Sequence, residues 1–145
     1  MIGLLQRVSH ASVSVDGQCI GKINTGLMVL IGVEKNDGRE QAERLVKKLL
    51  GYRVFPDDEG KMNQSVLDIA GEILLVPQFT LVADTDKGMR PSFSSAAPPR
   101  QGADLFAAVV DIMSQHLPQV QTGQFGADMA VELVNDGPVT FWLQV

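Results

Sequence analysis

Gly26-Leu27-Met28-Val29-Leu30-Ile31-Gly32-Val33 is an unbroken apolar run closed by glycines. A strand with one wetted face alternates apolar and polar residues, whereas a strand buried on both faces does not. This stretch therefore reads as a strand inside a layered domain. A second run, Ile73-Leu74-Leu75-Val76 within Gly71 to Val82, is equally apolar and reads as its companion.

Between them, Ala42, Leu45, Val46, Leu49 and Leu50 share one helical face, with Asp37 and Glu40 as a capping pair and Gly51 as the stop. Tyr52 to Phe55 reads as a short strand and Pro56 to Gly60 as a turn. Leu105, Ala108, Val109, Ile112 and Met113 repeat the helical spacing in a segment that begins near Pro99 and ends by Pro118. Upstream, Val13 and Val15 alternate with Ser12, Ser14 and Asp16, and Gly17 closes that strand. Downstream, Met129, Val131 and Leu133 share a face, and so do Val139, Phe141, Leu143 and Val145. The order predicts one mixed α/β domain over residues 1–145, with two amphipathic helices on sheet. Asp84 to Pro99 is long and irregular, the mark of a functional loop.

Composition narrows the function. A hydrophobic content of 45% in 145 residues builds a real core, and a net charge of −5 argues against a general nucleic-acid binder, so DNA is not expected as a partner. Arg7, Lys47, Lys48, Arg53, Lys87, Arg90 and Arg100 remain as cations for a small basic patch. One cysteine, Cys19, forms no internal disulfide and fits a reducing compartment. No apolar run approaches the ~20 residues that cross a bilayer, and the N-terminus lacks a leader pattern, so a soluble cytoplasmic protein is expected.

The usual chemistries are missing. His10, His116 and Cys19 stand alone, which leaves no metal-ligand spacing, and Asp84-Thr85-Asp86 lacks the closing glutamate of a calcium loop. No Gly-x-Ser-x-Gly occurs, and Gly21 to Gly26 lacks the lysine and hydroxyl of a phosphate loop. No cofactor or metal is expected. Thr80, beside Gln78, is the one suggestive hydroxyl, without an obvious activating base. At Gly137-Pro138 the bare sequence favours a hairpin turn; the alternative is a cis step that turns two carbonyls toward a ligand's ammonium group.

Leu5-Gln6-Arg7-Val8, Gly51-Tyr52-Arg53-Val54-Phe55, Gly60-Lys61-Met62-Asn63, Gln78-Phe79-Thr80-Leu81, Gly88-Met89-Arg90-Pro91-Ser92-Phe93, Gln121-Thr122-Gly123-Gln124-Phe125, Ala127-Asp128-Met129 and Asn135-Asp136-Gly137-Pro138-Val139-Thr140-Phe141-Trp142 occur in that order. In this order the chain resembles the bacterial D-aminoacyl-tRNA deacylases from end to end. One position departs: Pro77 stands where that family has serine, and it removes a backbone N–H, so no sheet donor is expected there.

The resemblance implies barrel-like sheets, a homodimer, and an ester hydrolase acting at the aminoacylated 3′ end of tRNA, on D-amino acids and on mischarged glycine. It implies catalysis by Gln78, Phe79 and Thr80, with the Phe79 and Thr80 amides facing the oxyanion and the tRNA 2′-hydroxyl assisting water. Gly137 and Pro138, inserted from one subunit into the other, would contact the substrate amino group and reject L side chains by collision. Phe125 and Met129 resemble pocket-wall positions; Met89 and Arg90 are placed, on our own reading, where a phosphate or the 3′ end could be gripped. The alternatives are a non-catalytic RNA-binding dimer and a small-ester hydrolase with Thr80 as nucleophile.

Overall fold

The computed structural model describes Met1–Val145. Its spine is β1, Ile2–Val15, which has partners on both edges. Asp16 and Gly17, both at positive φ, form a two-residue turn into β2, Gln18–Ile23. Gly26–Gly32 follows as β3. Along one edge of β1, β3 pairs with residues 2–8 and β2 with residues 11–15, both antiparallel. The expected strand around Val13 is thus the far half of a longer one.

A helix, α1 (Arg39–Gly51), leaves β3; a small hairpin follows, with β4 (Phe55–Pro56) against β5 (Met62–Gln64). Then β6, Glu72–Pro77, lies parallel to β3 from Gly26↔Glu72 to Ile31↔Pro77. A 3-10 turn over Phe79–Val82 and the loop 83–98 lead into α2, Pro99–Ser114. Beyond it, β7 (Val120–Thr122) runs parallel to β6, and β8 (Ala130–Gln144) returns antiparallel to the other edge of β1. The result is a nearly closed sheet, ordered β2-β1-β3-β6-β7 with β8 on β1, carrying two helices.

Two apolar clusters explain why β3 and β6 read as unbroken runs. On the helix side, Leu5, Val29, Ile31, Ile73 and Leu75 meet Leu45, Leu49, Val109 and Met113. On the other side, Val8, Val13, Ile23, Met28, Leu74 and Val76 fill the inside of the curved sheet, with Met129, Val131 and Leu133 packed on them.

Four local expectations are corrected. Asp37 does not cap α1 with Glu40: its carboxylate accepts the Glu34 N–H and the Met1 ammonium, each at 2.7 Å, and Gln41 Oε1 accepts the Gly38 N–H at the helix start. Tyr52–Val54 lie outside any strand; Arg7 Nη1 donates to the Val54 carbonyl at 2.6 Å in place of a strand partner. The strand expected to reach Val82 stops at Pro77, where the Gln78 N–H makes the last bond, 2.8 Å to the Ile31 carbonyl, and the chain coils into the 3-10 turn.

The fourth concerns Gly137-Pro138, which is no hairpin turn. β8 continues through it, pairing Asn135 with Val8 and Thr140 with Gln6, so Asp136–Val139 bulge outward from one strand. The Gly137–Pro138 bond is cis. The bulge also switches faces: Val131 and Leu133 pack inside the curved sheet, whereas Val139, Phe141 and Leu143 pack on the helix side.

Candidate active site

The strands β3 and β6 end side by side, and a cleft of about 460 Å³ opens at their carboxyl ends. In sheets with parallel strands this is where ligands bind, because the chain diverges into loops there. Ile31, Val33, Val76 and Pro77 form the floor. Ala97, Pro99, Gly102 and Phe106 bring one wall from the start of α2; Phe125 through Met129, with Val131, form the other. Gln78 and Phe79 stand at the rim. Asp128 is the one charged residue among those lining the cleft.

The far wall is held by short contacts. The Gly123 N–H donates to the Leu75 carbonyl at 2.8 Å, and the Gln124 N–H reaches Met129 Sδ at 3.3 Å. Phe125 rests on α2 above Gly102, where an added Cβ would stand 3.1 Å from Phe125 Cζ. A glycine in the first turn of α2 thus makes room for an aromatic wall.

At the rim, the Gln78 side-chain amide donates to Thr80 Oγ1, fixing both groups. The N–H groups of Phe79 and Thr80 open the 3-10 turn and have no backbone acceptor. Phe79 is 60% exposed and its ring meets Phe93 at a centroid distance of 5.2 Å. No histidine or lysine lines the cleft: His10 is exposed on β1 and His116 beyond α2. No group of three or more His, Cys, Asp or Glu residues is disposed to hold a metal.

Of the residues singled out in the sequence, Gln78, Phe79, Phe125 and Met129 line this cleft. Thr80 touches it through Gln78. Gly137 and Pro138 lie elsewhere in the same chain, exposed on the β8 bulge. There the Val139 N–H donates to Asn135 Oδ1 at 2.7 Å, Asn135 Nδ2 donates to Thr140 Oγ1 at 2.8 Å, and Arg7 Nε donates to the Asp136 carbonyl at 2.8 Å. Met89 and Arg90 are exposed at the tip of the 83–98 loop, outside the cleft lining. Sequence reasoning missed Gly102, Phe106 and Asp128. Gly102 left a signal, a glycine where a helix was expected, but Phe106 reads simply as core.

An apolar cleft at strand ends, with Gln78 and Phe79 at its rim, defines a small-ligand site. The sequence profile described as D-Tyr-tRNA(Tyr) deacylase matches residues 4–144. The chain is 59% identical over 144 residues to the D-aminoacyl-tRNA deacylase of Pseudomonas aeruginosa (strain UCBPP-PA14), covering 99% of both chains. It is 57% identical over 145 residues to that of Haemophilus influenzae (strain PittGG), covering all of both. Among solved structures it superposes on the c-Myc DNA Unwinding Element Binding Protein with a TM-score of 0.95 at 38% identity, covering 100% of this chain and 99% of that one. A probable eukaryotic D-amino acid tRNA deacylase shares the fold, with a TM-score of 0.83 at 17% identity over 99% of this chain and 98% of that one. The chain belongs to the D-Tyr-tRNA(Tyr) deacylase family.

Proposed function

We propose that this chain hydrolyses the ester of D-aminoacyl-tRNA, releasing the D-amino acid and tRNA, and that it also clears mischarged glycyl-tRNA. The observation that carries the reading is the cleft itself, with Gln78 and Phe79 at its rim and the Phe79 and Thr80 amides left without backbone acceptors where the chain leaves it. An ester carbonyl seated against the Phe79 and Thr80 amides would have its developing charge stabilised, a contribution of ~10²–10³ in rate per donor elsewhere. With no histidine or lysine in the lining and Asp128 its one carboxylate, the tRNA 2′-hydroxyl assists the attacking water. Gln78 and Thr80, already bonded to each other, hold the adenosine end. The Thr80 hydroxyl acts as an acceptor for Gln78 rather than as a nucleophile. No resident metal or cofactor is required by this scheme.

Chiral selection needs a rigid obstacle, and the Gly137–Pro138 step fits that role when supplied by a second copy. Leu4, Leu30 and Trp142 lie in register across β1, β3 and β8, on the sheet face away from the helices. Leu4 and Leu30 are only half-buried, and Trp142 is 51% exposed. This face leads toward Val131 and Met129 at the cleft wall. A homodimer that covers it would bring one copy's bulge to the other's cleft. A D side chain or glycine is then tolerated, and an L side chain meets backbone. Pro77 is compatible with the site, because the final bond of the ladder is made by Gln78. The expected location is the cytoplasm, where charged tRNA is found; no helix is long and apolar enough to cross a membrane.

The test is hydrolysis of D-Tyr-tRNA and L-Tyr-tRNA side by side by chelator-treated protein. Release from the D ester alone is expected. Equal release from both would reduce the protein to a general esterase, and release from neither would leave a binding module.

A further inference from the structure

Beyond the cleft, the 83–98 loop presents an aromatic that the hydrolytic scheme does not use. Phe93 is 41% exposed and leans on Phe79 at 5.2 Å, the planes inclined by 53°. Phe79 belongs to the cleft rim and Phe93 does not, so the pair leads outward from the site. Exposed aromatics on floppy loops are poor binding surfaces, since ordering them costs free energy. Phe93 is not of that kind. Immediately before it, Asp84 and Ser92 exchange two backbone hydrogen bonds, 2.8 and 3.0 Å. Immediately after it, the Lys35 N–H donates to the Ser95 carbonyl at 3.1 Å, and the Ala97 N–H to the Val33 carbonyl at 3.0 Å.

Three cations stand on this loop or against it. Lys87 and Arg90 are exposed at the loop tip and take part in none of the ion pairs of the chain. Lys35 Nζ contacts the Ser94 carbonyl at 3.3 Å, next to Phe93. Of the loop's two acids, Asp84 sits at its base, and the exposed Asp86, beside Lys87, donates its N–H to Asp84 Oδ1 at 2.9 Å. Aromatic faces flanked by unpaired cations are how proteins hold single-stranded nucleic acid: bases stack on the rings and phosphates meet the cations. This local arrangement stands out in a chain whose net charge is −5.

Resting on the deacylase reading of the cleft, we propose that Phe93, with Phe79, is a stacking platform for the unpaired nucleotides preceding the terminal adenosine, their phosphates lying along Lys35, Lys87 and Arg90. Phe93 is then a positioning residue for RNA outside the reacting centre. The ester enters the cleft while the strand behind it is held on the loop.

The test uses two readouts on the wild type, F93L, F93W and R90Q. The first is fluorescence anisotropy with a fluorescein-labelled oligoribonucleotide ending in ACCA. F93L weakens binding about tenfold, in the range found for loss of one stacked base, F93W restores it, and R90Q weakens it with a shallower salt dependence. The second compares D-Tyr-tRNA with D-Tyr-adenosine, which lacks upstream nucleotides. F93L raises KM for the tRNA about tenfold with kcat unchanged, and leaves both constants for the adenosine ester within about twofold. Wild-type affinity in F93L, equal losses on both esters, or a changed oligomeric state of F93L by sedimentation would overturn the platform; the last would assign Phe93 to a contact between copies. A wild type that binds the oligonucleotide through Phe93 but hydrolyses neither ester would instead remove the deacylase reading and leave the platform standing.

Discussion

Arg7 clamps the protruding bulge of β8: its Nε donates to the Asp136 carbonyl at 2.8 Å while Nη1 donates to the Val54 carbonyl at 2.6 Å. One side chain on the central strand thus fixes both the bulge and the segment after α1. The Asp136 carboxylate adds little, because it is exposed and 3.8 Å away.

Replacing Arg7 by methionine keeps the stem and deletes the donors. Hydrogen bonds from a charged donor are worth about 1.5–3 kcal/mol, and two carbonyls lose theirs. R7M is expected to lower unfolding free energy by about 2 kcal/mol in urea titration. It should also reduce D-aminoacyl-tRNA turnover more than that loss of folded protein accounts for.

Gly137 sits at φ +142, where a Cβ would come within 2.7 Å of Val139 Cγ2 and 2.9 Å of the Val139 nitrogen. G137A is therefore expected to displace the bulge, at a cost of about 1–3 kcal/mol. The decisive measurement is the D/L rate ratio. It falls if the bulge is the chiral obstacle, and an unchanged ratio would place selection elsewhere.

Gly102 separates stability from function. G102A improves helix propensity by about 1 kcal/mol but crowds Phe125 at 3.1 Å. The expected outcome is a thermal midpoint equal to or above that of the parent, with a raised KM for D-aminoacyl-tRNA as the cleft wall shifts.

Trp142 tests the assembly. W142E puts a charge on the half-exposed face shared with Leu4 and Leu30. Sedimentation is expected to show monomers that keep their circular dichroism and lose deacylation. A monomeric, fully active W142E would sink the two-copy site.

Acid should loosen the turn between β4 and β5 only once pH falls into the range where carboxylates take up protons. The Asn63 side-chain amide, then the Lys61 and Glu59 N–H groups, hold the Asp57 carboxyl below its usual value of 3.8. A depressed folded-state value means the stabilisation is complete above the unfolded value and fades as pH falls through the folded one. The melting-temperature gap between wild type and D57N should be constant near neutrality and close below about pH 4.

Burial explains what could be read from the chain alone. β3 and the core of β6 were legible because apolar neighbours on both faces leave no alternation. Both helices were legible from their apolar stripes. The continuity of β8 was not, because its bulge changes which face the odd-numbered residues take, and Asn-Asp-Gly-Pro looks locally like a turn. The end of β6 at Pro77 was missed because Phe79 to Val82 are as apolar as a strand, while the fold needs them coiled at the rim. The wall residues Gly102 and Phe106 were hidden for a related reason: the face of α2 that lines the cleft continues the face that packs the core.

The shared spine has a consequence for how the molecule comes into being. β1 is the first strand made and β8 the last, yet they pair along nearly their whole length. Such distant pairing is slow to form and waits for its partner during synthesis. The helices can settle on β3 and β6 earlier. The bulge, and the cleft wall contributed by Met129 and Val131, arrive only with the final stretch of chain. The cleft is therefore complete only once β8 has paired with β1, however early the helices settle.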